Sequence, residues 1–105
     1  MIEKVIHAIS EQNRRTILNL LKNEELTSSQ IASNFDISPP AISQHLKVLE
    51  NSGLVTVRKE GNKRIYQIRK EGFSDLTSYL DHFWDDSLSL LKQAAEEEER
   101  RSNES

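Results

Sequence analysis

Ile37-Ser38-Pro39-Pro40-Ala41-Ile42-Ser43-Gln44-His45-Leu46-Lys47-Val48-Leu49 is the stretch that decides the fold. Ser38 is a residue of the kind that caps a helix N-terminus, and Pro39 stands at the first helical position, where a missing N–H costs nothing. From there Ile42, Leu46 and Leu49 return on one face, as a helix that packs on a core requires. Gln44 is nearly opposite them, flanked by Pro40, Ala41, Lys47 and, further round, Ser43. An ordinary surface helix would carry more Glu and Lys on this outer face. His45 lies at the edge of the inward face, where it either packs or reaches outward. The helix is expected to run to about Asn51, with Gly53 as its left-handed terminator.

Reading outward toward the N-terminus, Thr27 with Gln30 three residues on forms a capping box. It opens a short helix that buries Ile31, Ala32 and Phe35, and Asn34 to Ile37 is the turn into the next helix. In the other direction, Leu54–Lys59 and Arg64–Arg69 each alternate apolar and polar residues, and Glu60-Gly61-Asn62 between them is turn chemistry. The result is two short helices joined by a tight turn and followed by a hairpin with Arg58, Lys59, Lys63 and Arg64 at its basic tip. This order is a winged helix-turn-helix. A helix fits the major groove of double-stranded DNA, and small side chains let its backbone approach base edges. Gln44 can pair with adenine through two hydrogen bonds, Ser43 can donate or accept, and the Ala41 methyl can meet a thymine methyl. Ser38, Pro40 and Lys47 complete the face, with His45 at its margin. The hairpin bases suit phosphates, and Thr27, Ser28 and Ser29 are either phosphate donors or plain caps.

Bulk properties are compatible with this. A chain of 105 residues fits one domain. The net charge of −3 argues against a general nucleic-acid adhesive, but the charge is uneven. From Ser38 to Lys70 there are seven bases against two acids, so a basic face can exist on an acidic protein and act locally. There is no cysteine, hence no disulfide framework and no thiolate metal site. No segment is apolar enough to cross a membrane, and Met1-Ile2-Glu3-Lys4 does not open a signal peptide.

Two amphipathic stripes flank the motif. Ile2, Val5, Ile6 and Ile9 mark a first helix, and Ser10 is expected to cap a second that carries Ile17, Leu18, Leu20 and Leu21. A last helix is expected from about Phe73 to about Ala95, with Leu76, Leu80, Trp84, Leu88 and Leu91 on one stripe and Phe83 beside it. It carries more large apolar surface than one small domain needs, so Phe83 and Trp84 are candidate anchors of a homodimer. Residues 96–105 are charged, lack an apolar face and are expected to be a disordered tail. The expected fold is mainly α with a small β-hairpin, divided into a domain over 1–95 and a tail over 96–105.

Ala8-Ile9-Ser10-Glu11-Gln12-Asn13-Arg14-Arg15-Thr16-Ile17-Leu18 resembles the opening motif of the ArsR family of winged-helix repressors. The Ile37–Leu49 string resembles that family's recognition helix, and Gly53-Leu54-Val55 and Gly61-Asn62-Lys63-Arg64-Ile65-Tyr66 resemble its wing. The resemblance covers about residues 2–95. It implies a cytoplasmic homodimer that binds an inverted repeat at a promoter and represses it. It also implies an interface through the first and last helices, here Ile2, Val5, Ile6 and Ile9 with Leu76, Leu80, Phe83, Trp84, Leu88 and Leu91. Two departures bear on function. Cysteine metal sensors of the family place thiolates where this chain has Leu26-Thr27-Ser28-Ser29-Gln30, so that site is absent. Asp81, His82, Asp85 and Asp86 lie where another family site uses Asp and His, but the partners further along are missing, and a solvated acidic face accounts for them better. The motif also has Glu11-Gln12-Asn13 where the family often has Asp-Pro-Thr.

No cofactor is expected, no resident metal site is read, and a small-molecule effector stays open. An enzyme is disfavoured, because His7, His45 and His82 fall on three elements and nothing pairs a nucleophile with a base. The competing classes are a winged-helix module that binds protein, and a repressor with a metal or small-molecule switch on its last helix. Salt-dependent binding to duplex DNA separates the first of these from the DNA-binding reading.

Overall fold

A computed structural model describes the backbone of residues 2–104 and the side chains of residues 2–83 and 93–98. The elements are α1 (Ile2–Ile9), α2 (Gln12–Leu20), β1 (Leu26–Thr27), α3 (Ser28–Ala32), α4 (Pro39–Asn51), β2 (Val55–Glu60), β3 (Lys63–Ile68), a 3₁₀ turn (Lys70–Phe73) and α5 (Ser74–Glu104).

The capping chemistry sets most of the helix starts. Thr27 and Gln30 bond each other's backbone in a complete capping box at α3. The Ser38 hydroxyl accepts from the Ala41 N–H at 3.3 Å, with Pro39 in the first turn of α4. At the end of α4 the Gly53 N–H donates to the Glu50 carbonyl and the Leu54 N–H to the Leu49 carbonyl, with Gly53 at φ +81°. These two bonds are the Schellman closure. The α2 start differs from expectation. Glu11, not Ser10, accepts from the Arg14 N–H, because the Ser10 hydroxyl is turned back onto the His7 carbonyl at 2.6 Å.

The hairpin pairs Val55 with Ile68 and Glu60 with Lys63, leaving Gly61-Asn62 as a two-residue loop. Gly61 has φ +62°, and no non-glycine residue among those described has positive φ. That fits a turn with glycine at its first central position. Leu26 and Thr27 add a third antiparallel strand opposite Tyr66 and Ile65, so the sheet order is β1-β3-β2. A two-residue strand has no periodicity to read, and it exists only because β3 offers it an edge.

The core gathers Val5, Ala8, Ile17, Leu21, Ile31, Ile42, Leu46, Leu49, Leu54, Val55 and Tyr66. Ile42, Leu46 and Leu49 anchor α4, and each full burial of this kind stabilises by roughly 1.5–3 kcal/mol. Val5 is 3% exposed. It therefore belongs to this core and is removed from the candidate interface, because α1 turns Val5 and Ala8 inward together. α5 is one continuous helix to Glu104, so no break in secondary structure marks a boundary near residue 95. Glu96 and Arg100, like Glu97 and Arg101, stand four apart, a spacing that favours helix.

Candidate nucleic-acid interface

With Ile42, Leu46 and Leu49 inward, α4 presents Ser38, Pro40, Ser43, Gln44 and Lys47 to solvent, and Ala41 is half-exposed. This is the outer row expected from the sequence. The structure also brings Ser28, Ser29 and Ser43 together along one shallow groove between α3 and α4. Ser29 is exposed and Ser28 half-buried, whereas the Thr27 hydroxyl oxygen is occupied as a cap acceptor.

His45 is placed differently from the rest of its helix. It is half-buried, and its Nδ1 lies 3.2 Å from Arg14 Nη1 and 3.8 Å from Glu11 Oε2. A guanidinium can only donate, so Nδ1 must accept and the neutral ring carries its proton on Nε2. His45 thus joins α4 to the α1–α2 junction and is withdrawn from the outer row. Arg14 holds that junction. It is 7% exposed, its Nε donates to the Ala8 carbonyl at 2.7 Å, and its Nη2 donates to the His7 carbonyl at 3.0 Å. Arg15 Nη1 donates to the Ile9 carbonyl at 2.8 Å. Two cations therefore satisfy the last carbonyls of α1, at the end where the helix dipole is negative. At Glu11, desolvation raises the carboxyl, but the backbone bonds of Asn13 and Arg14 and the charge of Arg14 outweigh it. The group is held below its ordinary value. The Glu11-to-Arg15 string therefore has a local structural use that sequence reading did not assign.

The wing divides its bases into two kinds. Arg58 grips both Glu25 oxygens, at 2.6 and 2.7 Å, and also bonds Glu60 Oε2 at 3.1 Å. With two carboxylates on one guanidinium, this corner is not cationic, so Arg58 is a poor phosphate ligand as placed. Lys59, Lys63 and Arg64 are exposed, and their side chains have no hydrogen-bond or ion-pair partner among the described residues. Lys59 and Arg64 sit directly opposite each other across the ladder. Like charges in that position are unfavourable unless an anion lies between them.

The Glu25 carboxyl is held below its ordinary value, first by the hydrogen bonds from Arg58. Its contribution to stability is therefore present above the unfolded carboxylate pKa of about 4.3 and lost as pH falls through the lower folded value. Thermal melts of the parent and Glu25→Gln are expected to differ slightly at neutral pH and to converge in acid. A gap that stays constant as pH falls through and below the carboxylate range would contradict this.

The three exposed large apolar side chains among the described residues are Ile6 at 44%, Tyr79 at 46% and Phe83 at 61%. Ile6 is on α1 and the other two are on α5. Tyr79 and Phe83 meet edge to face with centroids 4.9 Å apart. Tyr79 was not singled out from the sequence, although its spacing of four from Phe83 was visible there. Leu76 and Ile9 are half-buried and pack on the core, and Ile2 and Leu80 are half-buried. Trp84, Leu88, Leu91, Asp85 and Asp86 lie outside the residues whose side chains are described. Among the described residues no cluster of three His, Asp or Glu side chains could hold a metal ion.

Residues 11–57 match a family model described as "Bacterial regulatory protein, arsR family". The chain is similar to the HTH-type transcriptional regulator Rv2034 of Mycobacterium tuberculosis, with 34% identity covering 91% of this chain and 90% of that protein. It is similar to an arsenical resistance operon repressor of Staphylococcus xylosus, with 35% identity covering 76% of this chain and 77% of that protein. Among solved structures it is similar to the homodimeric winged helix-turn-helix DNA-binding domain of Mb0332 from Mycobacterium bovis. That structure, titled a possible ArsR-family transcriptional regulator, gives a TM-score of 0.64 at 29% identity and covers 83% of this chain and 81% of its own.

Proposed function

Because the chain belongs to the arsR family of regulatory proteins, we propose that it represses transcription as a cytoplasmic homodimer occupying an inverted-repeat operator. The observation that carries this reading is the exposed, small, nearly uncharged outer row of α4 beside a wing tip whose three bases lack partners. Ser38, Pro40, Ala41, Ser43, Gln44 and Lys47 enter the major groove, with Gln44 as the principal base reader. Lys59, Lys63 and Arg64 hold the flanking backbone, and a phosphate between Lys59 and Arg64 relieves their repulsion. Ser28 and Ser29 donate to a phosphate at the groove edge. Dimerisation is supported by the exposed apolar side chains of α1 and α5: Ile6 on the first, and Tyr79 and Phe83, in edge-to-face contact, on the second. A two-fold pair sets its recognition helices about 34 Å apart, one DNA turn. Residues 1–95 make up this domain, and 96–105 form a charged extension to it.

Selection of bound sequences from a random duplex pool tests the whole reading. A two-fold symmetric motif is expected; an enriched motif without symmetry would remove the dimer, and no enrichment would remove DNA reading. Within that assay Gln44→Ala is expected to cost about 1–3 kcal/mol and to relax one base position. Arg64→Ala is expected to weaken all sequences alike and to lower the salt slope by about one unit. Arg58→Ala should leave the slope nearly unchanged, because its charge is already matched by Glu25 and Glu60. Equal slopes for the two arginine variants would show that the Glu25 pairing does not persist on DNA.

A further inference from the structure

Away from the α4 face and the wing tip, an open cleft of about 600 Å³ lies where α1 ends, beside the second half of α2 and the exit from β3. This volume is in the range of small-molecule sites, about 300–1,000 Å³. Its floor is Ile9, Leu18, Ile68 and Phe73, one side chain from each of four elements. Its rim is Arg15, Lys22 and Lys70, with two asparagines and no acid among the lining residues. The side-chain ammonium groups of Lys22 and Lys70 have no hydrogen-bond or ion-pair partner among the described residues. In a chain of net charge −3, three cations around an apolar floor form a local inversion of sign. A cleft of about 480 Å³ between α1 and α4 is rimmed by Glu3 as well as Lys4 and has no such bias.

We propose that the cleft above Ile9, Leu18, Ile68 and Phe73 binds a small amphipathic carboxylate, a fatty or aryl-alkanoic acid, with its apolar body on the floor and its carboxylate at Lys22 and Lys70. The apolar floor selects against a bare phosphate or a stretch of DNA backbone, which would have no use for four hydrocarbon side chains. The single sign of the rim selects for an anion over a neutral amphipath. Arg15 contributes its charge while one of its nitrogens stays on the Ile9 carbonyl. Of the residues named for the dimer contact only Ile9 lines the cleft, and it packs on the core; the exposed Ile6, Tyr79 and Phe83 do not line it. The inference goes beyond the DNA-binding reading and does not depend on it.

The test is calorimetric titration of the full chain, without DNA, using decanoate and decanol as matched probes below their aggregation limits. Saturable binding of one decanoate per chain is expected, with decanol weaker by about ten-fold or more, because only the acid meets the cationic rim. The double variant Lys22→Glu/Lys70→Glu is expected to melt with the parent and to bind decanoate at least about ten-fold more weakly. Absence of saturable decanoate binding, equal binding of decanol, or undiminished binding by the double variant would each overturn the proposal. If the double variant loses duplex affinity yet keeps decanoate, the rim is a backbone contact and the proposal likewise falls. Failure of the chain to bind any DNA would leave the decanoate titration unchanged, so the two readings fail separately.

Discussion

Arg14→Met is expected to lower the unfolding free energy by roughly 2–5 kcal/mol, the range for breaking a buried hydrogen-bonded charge network. Methionine fills much of the same volume, so the loss isolates the hydrogen bonds rather than a cavity. Removing the guanidinium strips donors from the His7 and Ala8 carbonyls and from His45 Nδ1 at once. The His7 carbonyl keeps the Ser10 hydroxyl, but the Ala8 carbonyl and His45 Nδ1 lose their side-chain donor, and each carries its own desolvation cost. Arg14→Lys should recover only part of this, because a single ammonium cannot reproduce the planar fork that reaches two carbonyls and a ring nitrogen. Urea unfolding of the three proteins measures the effect. A change below about 0.5 kcal/mol in Arg14→Met would mean that the junction is held by packing alone.

Gly72→Ala is expected to be of similar size, at least about 3 kcal/mol, the upper end of overpacking costs. A methyl group at Gly72 would overlap the Gly53 carbonyl oxygen and lie 2.7 Å from its carbon and 3.1 Å from Leu54 Cα. All three are backbone atoms, so no side chain can swing aside. The segment is also tied in place: the Arg69 N–H donates to the Leu54 carbonyl at 2.9 Å and the Gly72 N–H to the Arg69 carbonyl at 3.0 Å. The strain would therefore fall where α4 ends and where the wing leaves for α5, and duplex affinity should drop with stability. Gly53→Ala is the control. Its φ of +81° carries a cost of about 1–2 kcal/mol, but its methyl would meet only the Arg69 side chain, at 3.5 Å. If Gly72→Ala melted above Gly53→Ala, the close approach of these two segments would not hold in solution.

The legible parts of this chain are those in which a residue acts on its own neighbours. Thr27 with Gln30, Ser38 with Pro39, Gly53 and Gly61 each announce an element's start or end, because caps and turns are satisfied within a few residues. The inward row of α4 and the alternation of the hairpin are legible for the same reason, since burial repeats at the period of the backbone. Expectation failed where the partner lies far along the chain. Nothing near Arg58 in sequence announces Glu25, 33 residues away. Nothing near His45 announces Arg14, 31 residues away. Glu11 displaced Ser10 as a cap for a more local reason, since the Ser10 hydroxyl found the His7 carbonyl first.

The helix-turn-helix with its hairpin, the outer row of α4 and the bases at the hairpin tip were thus determined by sequence alone, through short-range hydrogen bonding and the periodicity of apolar residues. Tertiary structure decided which charges remain available. It neutralised Arg58, drew His45 into the α1–α2 junction, buried Val5, paired Leu26-Thr27 with β3 and gathered an apolar floor beside Lys22 and Lys70. These outcomes depend on distances between segments that meet only when the core closes, and a charge or a strand edge has no fixed partner until then.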